Sequence, residues 1–139
     1  MLLPTSNGGL FYYNLKGGTV TKKVLTIAGS DSSAGAGLQA DLKTFAALRV
    51  YGLSVVTAVT AQNLYAGRGI HAVPPDFVSE QINAVFDDIE IDAVKIGMVG
   101  TSAAIEAVCE GLKKYSAANI VVDPVMVATS GDLLVDDRV

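Results

Sequence analysis

Val24-Leu-Thr-Ile-Ala-Gly-Ser-Asp-Ser-Ser-Ala-Gly-Ala-Gly-Leu-Gln-Ala-Asp-Leu-Lys-Thr-Phe45 is the stretch that decides the fold. Val24 to Ala28 is a short apolar and β-branched run, as a buried strand requires, and Gly29-Ser30-Asp31-Ser32-Ser33 is a turn cluster that breaks it. A helix then opens near Ala36. Leu38, Leu42 and Phe45 fall at i, i+4 and i+7 and draw one apolar stripe against a sheet. Tyr51-Gly52 ends that helix.

Downstream the same alternation repeats. Ser54 to Thr60 is a second strand, ending at Ala61-Gln62-Asn63, and Leu64 to Ala72, with Gly67 and Gly69, is expected as a mobile loop. Pro74-Pro75-Asp76 starts a helix with Asp76 as its N-cap and a stripe of Val78, Ile82, Val85 and Ile89. Ala93 to Ile96 is a third strand, punctuated by Gly97 and Gly100. Thr101 or Ser102 caps the next helix, whose stripe is Ile105, Val108, Cys109 and Leu112, with Lys113 and Lys114 favouring the macrodipole in its last turn. Ile120 to Val122 is a fourth strand, stopped by Asp123-Pro124. Strands alternating with helices imply right-handed crossovers and a parallel sheet covered by helices on both faces.

The chain has 139 residues, enough for one domain with a real core. Half of them are apolar and 17% are charged, which excludes a disordered tail. A net charge of −4 leaves no basic stripe for nucleic acid, and no apolar run approaches the length needed to cross a bilayer. Cys109 is the single cysteine, so no internal disulfide can form and a reducing, cytoplasmic setting is expected. Residues 1–23 are expected as a variable leader, in which Leu10-Phe11-Tyr12-Tyr13 is either a short strand or a weakly ordered arm. Residues 24–139 are expected as the amino-terminal part of a single domain. No helix follows the fourth strand, so the expectation is a truncated sheet with an uncovered edge.

In an open parallel sheet, ligands bind outside the carboxyl ends of the strands. Four unusual clusters fall there: Gly29 to Gly37, Ala61-Gln62-Asn63, Gly97-Met98-Val99-Gly100 and Asp123-Pro124-Val125-Met126. Gly35-x-Gly37-x-x-Ala40 has the spacing of a dinucleotide-binding turn, but the second strand ends in Gln62 rather than the acidic residue that would hold a ribose. No Gly-Lys-Ser/Thr follows, so it is not a Walker loop either. Gly37 is also open to a purely structural role, letting helix and strand pack closely.

Gln62 offers the donor and acceptor needed to read an aminopyrimidine edge, or it caps a loop. Asp41, placed in the first turn of its helix, is stabilised by the helix N-terminus or accepts from a ligand amine. Met98 is a polarisable wall over a flat ring or ordinary core. Asp123 helps organise a metal and phosphates, or caps the turn before Pro124. Lone His71 is expected at the surface, Cys109 in the core, and Asp87-Asp88 in solvent.

Read together, these motifs resemble the hydroxymethylpyrimidine/phosphomethylpyrimidine kinases of thiamine biosynthesis. The resemblance is carried by Leu25 to Phe45, Val59-Thr-Ala-Gln-Asn63, Pro75-Asp-Phe-Val78, Val94-Lys-Ile-Gly-Met98 and Asp123-Pro-Val-Met-Val-Ala-Thr-Ser-Gly131, in the family's order. It implies a ribokinase-like α/β fold and two successive phosphoryl transfers from Mg-ATP. The first goes to 4-amino-5-hydroxymethyl-2-methylpyrimidine, the second to its monophosphate. It implies that the pyrimidine sits among Ala36, Asp41, Gln62, Met98 and Val125, with Asp123 toward the metal and phosphates. A homodimer is expected for a full-length protein of this kind.

Two departures stand out. Leu64-Tyr65-Ala66-Gly67 replaces the family's usual continuation of the Ala-Gln-Asn turn. The family's glycine-rich anion hole, its activating residue and most of its ATP contacts belong to a carboxyl half that is not in this sequence, so no catalytic residue is assigned here. A non-catalytic pyrimidine-binding module and a pyridoxal kinase are the alternative functions.

Overall fold

Lys23 to Asp31 form the strand at the centre of the molecule. The computed structural model describes residues 3–4, 10–11, 21–63 and 67–125. Its elements are β1 (Leu3–Pro4), β2 (Leu10–Phe11), β3 (Lys23–Asp31), α1 (Gly37–Ala47), β4 (Tyr51–Gln62), β5 (Gly67–Ala72), α2 (Pro75–Phe86), β6 (Ala93–Ile96), α3 (Ser102–Lys114) and β7 (Ile120–Val122). β1 and β2 pair with each other, so Leu10 and Phe11 are strand, while Tyr12 and Tyr13 lie outside the described residues. The other strands form one sheet in the order β5-β4-β3-β6-β7. The four expected strands, β3, β4, β6 and β7, run parallel to one another.

Period-two alternation sorts the residues of β3 between two faces. Leu25 and Ile27, fully buried, join Val55 and Val94 from neighbouring strands and Val78, Ile82, Val108 and Leu112 from α2 and α3. Thr26 points to the opposite face, where its hydroxyl donates to Asp41 on α1, and Leu42 and Phe45 of α1 pack down on Gly52 of β4. Helices therefore cover both faces, and the result is the expected three-layer α/β arrangement.

Several expectations are corrected. β3 does not break at Gly29; it continues to Asp31 through a register shift between Ala28 and Ser30. Tyr51 and Gly52 do not end α1 but begin β4, because the helix already turns off at Leu48 and Arg49, whose φ is 59°. Residues 67–72 of the expected loop form β5, antiparallel to Ala58–Gln62 of β4. The rest of that loop, residues 64–66, lies outside the described residues. The N-cap of α2 is Pro74; Asp76 sits inside the first turn, where its carboxylate accepts from the Phe77 N–H at 2.9 Å. Thr101 does cap α3, accepting from the Ala104 N–H.

Cys109 is exposed rather than core. The buried face of α3 is Ala104, Ala107, Val108 and Leu112, and Gly111 lies so close to α2 that a Cβ there would meet Ile82 Cγ2 at 2.9 Å. Val108 and Leu112 of the expected stripe are buried as expected, while the small residues Ala104 and Ala107 take the places expected of Ile105 and Cys109.

Candidate functional site

The strand order places the site. β3 runs to β4 on one side through α1, and the chain returns to β6 on the other side through α2. Successive crossovers leave on opposite faces at β3 and β6, and a crevice opens at their carboxyl ends.

The turn after β3 is built around Asp31, which is 4% exposed. Its carboxylate accepts from the Ser33 N–H and hydroxyl at 2.8 Å, from the Ala36 N–H at 2.8 Å and from the Gly35 N–H at 3.0 Å. Burial works against the charge, but the Ser33 hydroxyl and the three backbone donors outweigh it and hold the carboxyl below its ordinary value. The Gln39 side chain completes the turn, accepting from the Asp31 N–H and donating to the Ser30 hydroxyl. In a phosphate-binding turn such amides face the ligand. Here the protein's own carboxylate takes them, which adds a physical reason against the dinucleotide alternative.

Gly37 has a φ of +57°, and a Cβ there would lie 2.4 Å from the Gly29 carbonyl oxygen. Helix and strand approach too closely for any side chain, so its structural role is the one seen. Gly29 likewise leaves room for Met98, whose Cε would lie 2.5 Å from a Cβ at that position.

These approaches enclose a cavity of about 330 Å³, in the range of small-molecule sites. Ala36, Asp41, Gln62, Met98, Asp123 and Val125 all line it. They come from five separate segments, so the six residues singled out in the sequence are brought together in space. Met126 lies outside the described residues.

Met98 is 8% exposed and forms an apolar wall, its backbone oxygen held by the Thr57 hydroxyl at 2.7 Å. Gln62 is fixed through its backbone, whose N–H donates to Ser32 Oγ and whose carbonyl accepts from it. Among the described residues its side-chain oxygen meets the Thr60 hydroxyl at a long 3.4 Å, a weak contact that a ligand can displace.

Asp41 sits in the second turn of α1, because that helix begins at Gly37. The helix N-terminus is therefore not its partner. Its Oδ2 accepts from Thr26 Oγ1 at 2.6 Å and from Lys95 Nζ at 3.1 Å. Asp123 extends the β6–β7 ladder through its N–H to the Ile96 carbonyl, and its carboxylate, 62% exposed, stands 3.9 Å from Lys95 Nζ.

Lys95 and Asp31 were not among the sequence candidates. A lysine between Val94 and Ile96 in a short apolar strand is a signal for the first; a Ser-Asp-Ser-Ser turn is a signal for the second. His71 lies on β5 and is exposed. Asp87 is exposed but accepts from the Tyr115 hydroxyl at 2.7 Å, linking α2 to the end of α3.

Among the described residues no three acidic, His or Cys side chains gather to hold a metal. Mg²⁺ is commonly held by one or two carboxylates with water and substrate phosphates, and Asp123 at the rim fits that lesser demand.

A switch-point cavity on a three-layer α/β sheet is a small-molecule site, and solved kinases of ribokinase-like fold share this arrangement. Comparison with known proteins narrows it further. Residues 31–139 match the phosphomethylpyrimidine kinase family, and the chain belongs to it. It is 53% identical to the hydroxymethylpyrimidine/phosphomethylpyrimidine kinase of Escherichia coli K12, over 79% of this chain and 41% of the relative. The structure of phosphomethylpyrimidine kinase from Clostridium difficile 630 superposes with a TM-score of 0.79 at 50% identity, covering 85% of this chain and 51% of that one. Pyridoxal kinase from Staphylococcus aureus, in complex with AMP-PCP and pyridoxal, superposes with a TM-score of 0.70 at 40% identity, over 81% and 42% of the two chains. The chain spans 15–43% of the length of the curated relatives it matches.

Proposed function

We propose that this chain supplies the pyrimidine-binding part of a kinase that uses Mg-ATP to phosphorylate 4-amino-5-hydroxymethyl-2-methylpyrimidine and then its monophosphate, in thiamine biosynthesis. The observation that carries this is the convergence of Gln62, Met98, Ala36, Val125 and Asp41 on one cavity that sets apolar walls beside polar and charged side chains. Family membership and the ATP analogue bound to the S. aureus relative support a nucleoside triphosphate as donor.

The residues divide the work by chemistry. Met98 and Val125 lie against the faces of a flat ring, and the Gln62 carboxamide pairs with the aminopyrimidine edge. Asp123, at the exposed rim, lies toward the metal and phosphates. Phosphoryl transfer depends on position and charge stabilisation, so the contribution of these residues is to hold the hydroxymethyl group still and facing the rim.

Titration calorimetry of the 139-residue chain with the pyrimidine alcohol tests the proposal. Saturable binding is expected, weakened roughly tenfold or more by Gln62→Ala. Pyridoxal, titrated alongside, is expected to bind less tightly. Tighter binding of pyridoxal would favour the pyridoxal kinase alternative, and no heat from either at millimolar ligand would overturn the site. Binding without turnover in the presence of Mg-ATP would identify this chain as a binding module.

A further inference from the structure

We propose that Lys95 determines specificity at this cavity: its ammonium receives the phosphate of the monophosphorylated pyrimidine and is not needed for the neutral alcohol. The proposal rests on the reading under Proposed function and assigns a residue that separates the two successive substrates.

Three carboxylates line the cavity, those of Asp31, Asp41 and Asp123, and Lys95 is the one cationic side chain among the described lining residues. Asp31 is already committed to the backbone donors of its turn. Lys43, the other cation near that turn, is exposed and donates to the Ala34 carbonyl instead. A dianionic phosphate entering this space meets like charge on several sides, and one ammonium offsets it. A neutral alcohol makes no such demand.

The geometry leaves Lys95 able to respond. An ammonium has three donors; Asp41 takes one at 3.1 Å, and Asp123 at 3.9 Å is an ion pair beyond hydrogen-bond length. Asp41 keeps the Thr26 hydroxyl at 2.6 Å if the ammonium leaves it. Gly97 clears the path, since a Cβ there would stand 3.0 Å from Lys95 Nζ. The side chain is 22% exposed, so the charge is neither fully screened nor sealed away.

The test is calorimetry of the 139-residue chain in metal-free buffer, with the alcohol and its monophosphate as separate probes. Lys95→Met is expected to weaken the monophosphate about tenfold or more, with the alcohol changed by less than about threefold, and Lys95→Arg to restore most of the loss. Asp123→Asn, at an exposed position that does not threaten folding, is expected to raise the ratio of monophosphate to alcohol affinity. Added salt is expected to weaken the monophosphate alone. Equal losses on both ligands in Lys95→Met would mean that Lys95 only positions Asp41, and would overturn the proposal. So would unchanged affinities in both variants. If the wild-type chain binds the alcohol but not the monophosphate, this inference alone fails; if it binds neither, the proposed function fails with it.

Discussion

Asp31 is the residue on which the site's first turn depends. It lies at the end of a strand where burial alone would neutralise it, yet its donors keep it charged. The sign of the pH effect follows. A carboxyl whose folded pKa is below its unfolded one contributes stability that is complete above the unfolded value and lost as pH falls through the folded value. The ordinary value is 3.8, so Tm is expected to fall as the pH drops below about 4. Asp92, held below its ordinary value by the Lys22 ammonium and the Lys23 N–H, adds to the same slope. Asp31→Asn keeps one acceptor oxygen where the carboxylate uses two: at the Oδ2 place it still accepts from the Gly35 and Ala36 N–H groups, and its amide NH2 then faces the Ser33 N–H. It is expected to cost about 1–3 kcal/mol at pH 7 and to flatten the acid slope, as thermal melts at several pH values would show. An acid slope identical to wild type would remove Asp31 from this account. Gln62 and Met98 were legible as single residues because their chemistry is unusual at strand ends. The pairing of Lys95 with Asp41 was not, because it joins residues 54 positions apart.

Elements were legible where the local pattern and the tertiary contact agree. Ala93 to Ile96 forms a strand with the bounds expected, since an apolar run between polar and glycine residues leaves little choice. β5 was missed because Gly67 and Gly69 argue against a strand; pairing with β4, which no local window contains, overrides that propensity. The stripe of α3 was legible at Val108 and Leu112 but not at Ala104 and Ala107, since the close approach of α2 selects small residues there. Gln81 of α2 illustrates a contact that only the fold creates. Its amide accepts from the Val56 N–H at 2.9 Å and donates to the Val56 carbonyl at 3.0 Å, completing β4 just before β5 begins its pairing. Gln81→Leu strands both backbone groups and is expected to cost about 1–3 kcal/mol in urea unfolding, with faster hydrogen exchange at Val56. Wild-type exchange there would contradict that role.

At the scale of the molecule, the strand order does the positioning. Crossovers that leave on opposite faces at β3 and β6 open the cavity, and the bulge at Gly29 with the close approach at Gly37 shapes its floor. β7 is one of the two outer strands of the described sheet, with Ile120, Val121 and Val122 exposed by 43%, 63% and 59%. The site therefore sits between the covered side of the sheet and this open side, with Asp123 and Val125 following directly on β7. A pyrimidine seated in this cavity as proposed lies against Met98. Methyl-labelled NMR of the chain with 4-amino-5-hydroxymethyl-2-methylpyrimidine measures this directly. Intermolecular contacts are expected from the ligand's ring substituents to the Met98 methyl, with shifts in the Gln62 side-chain amide. Contacts confined to Ile120 and Val122 on the open face, with Met98 and Gln62 unmoved at saturating ligand, would contradict it.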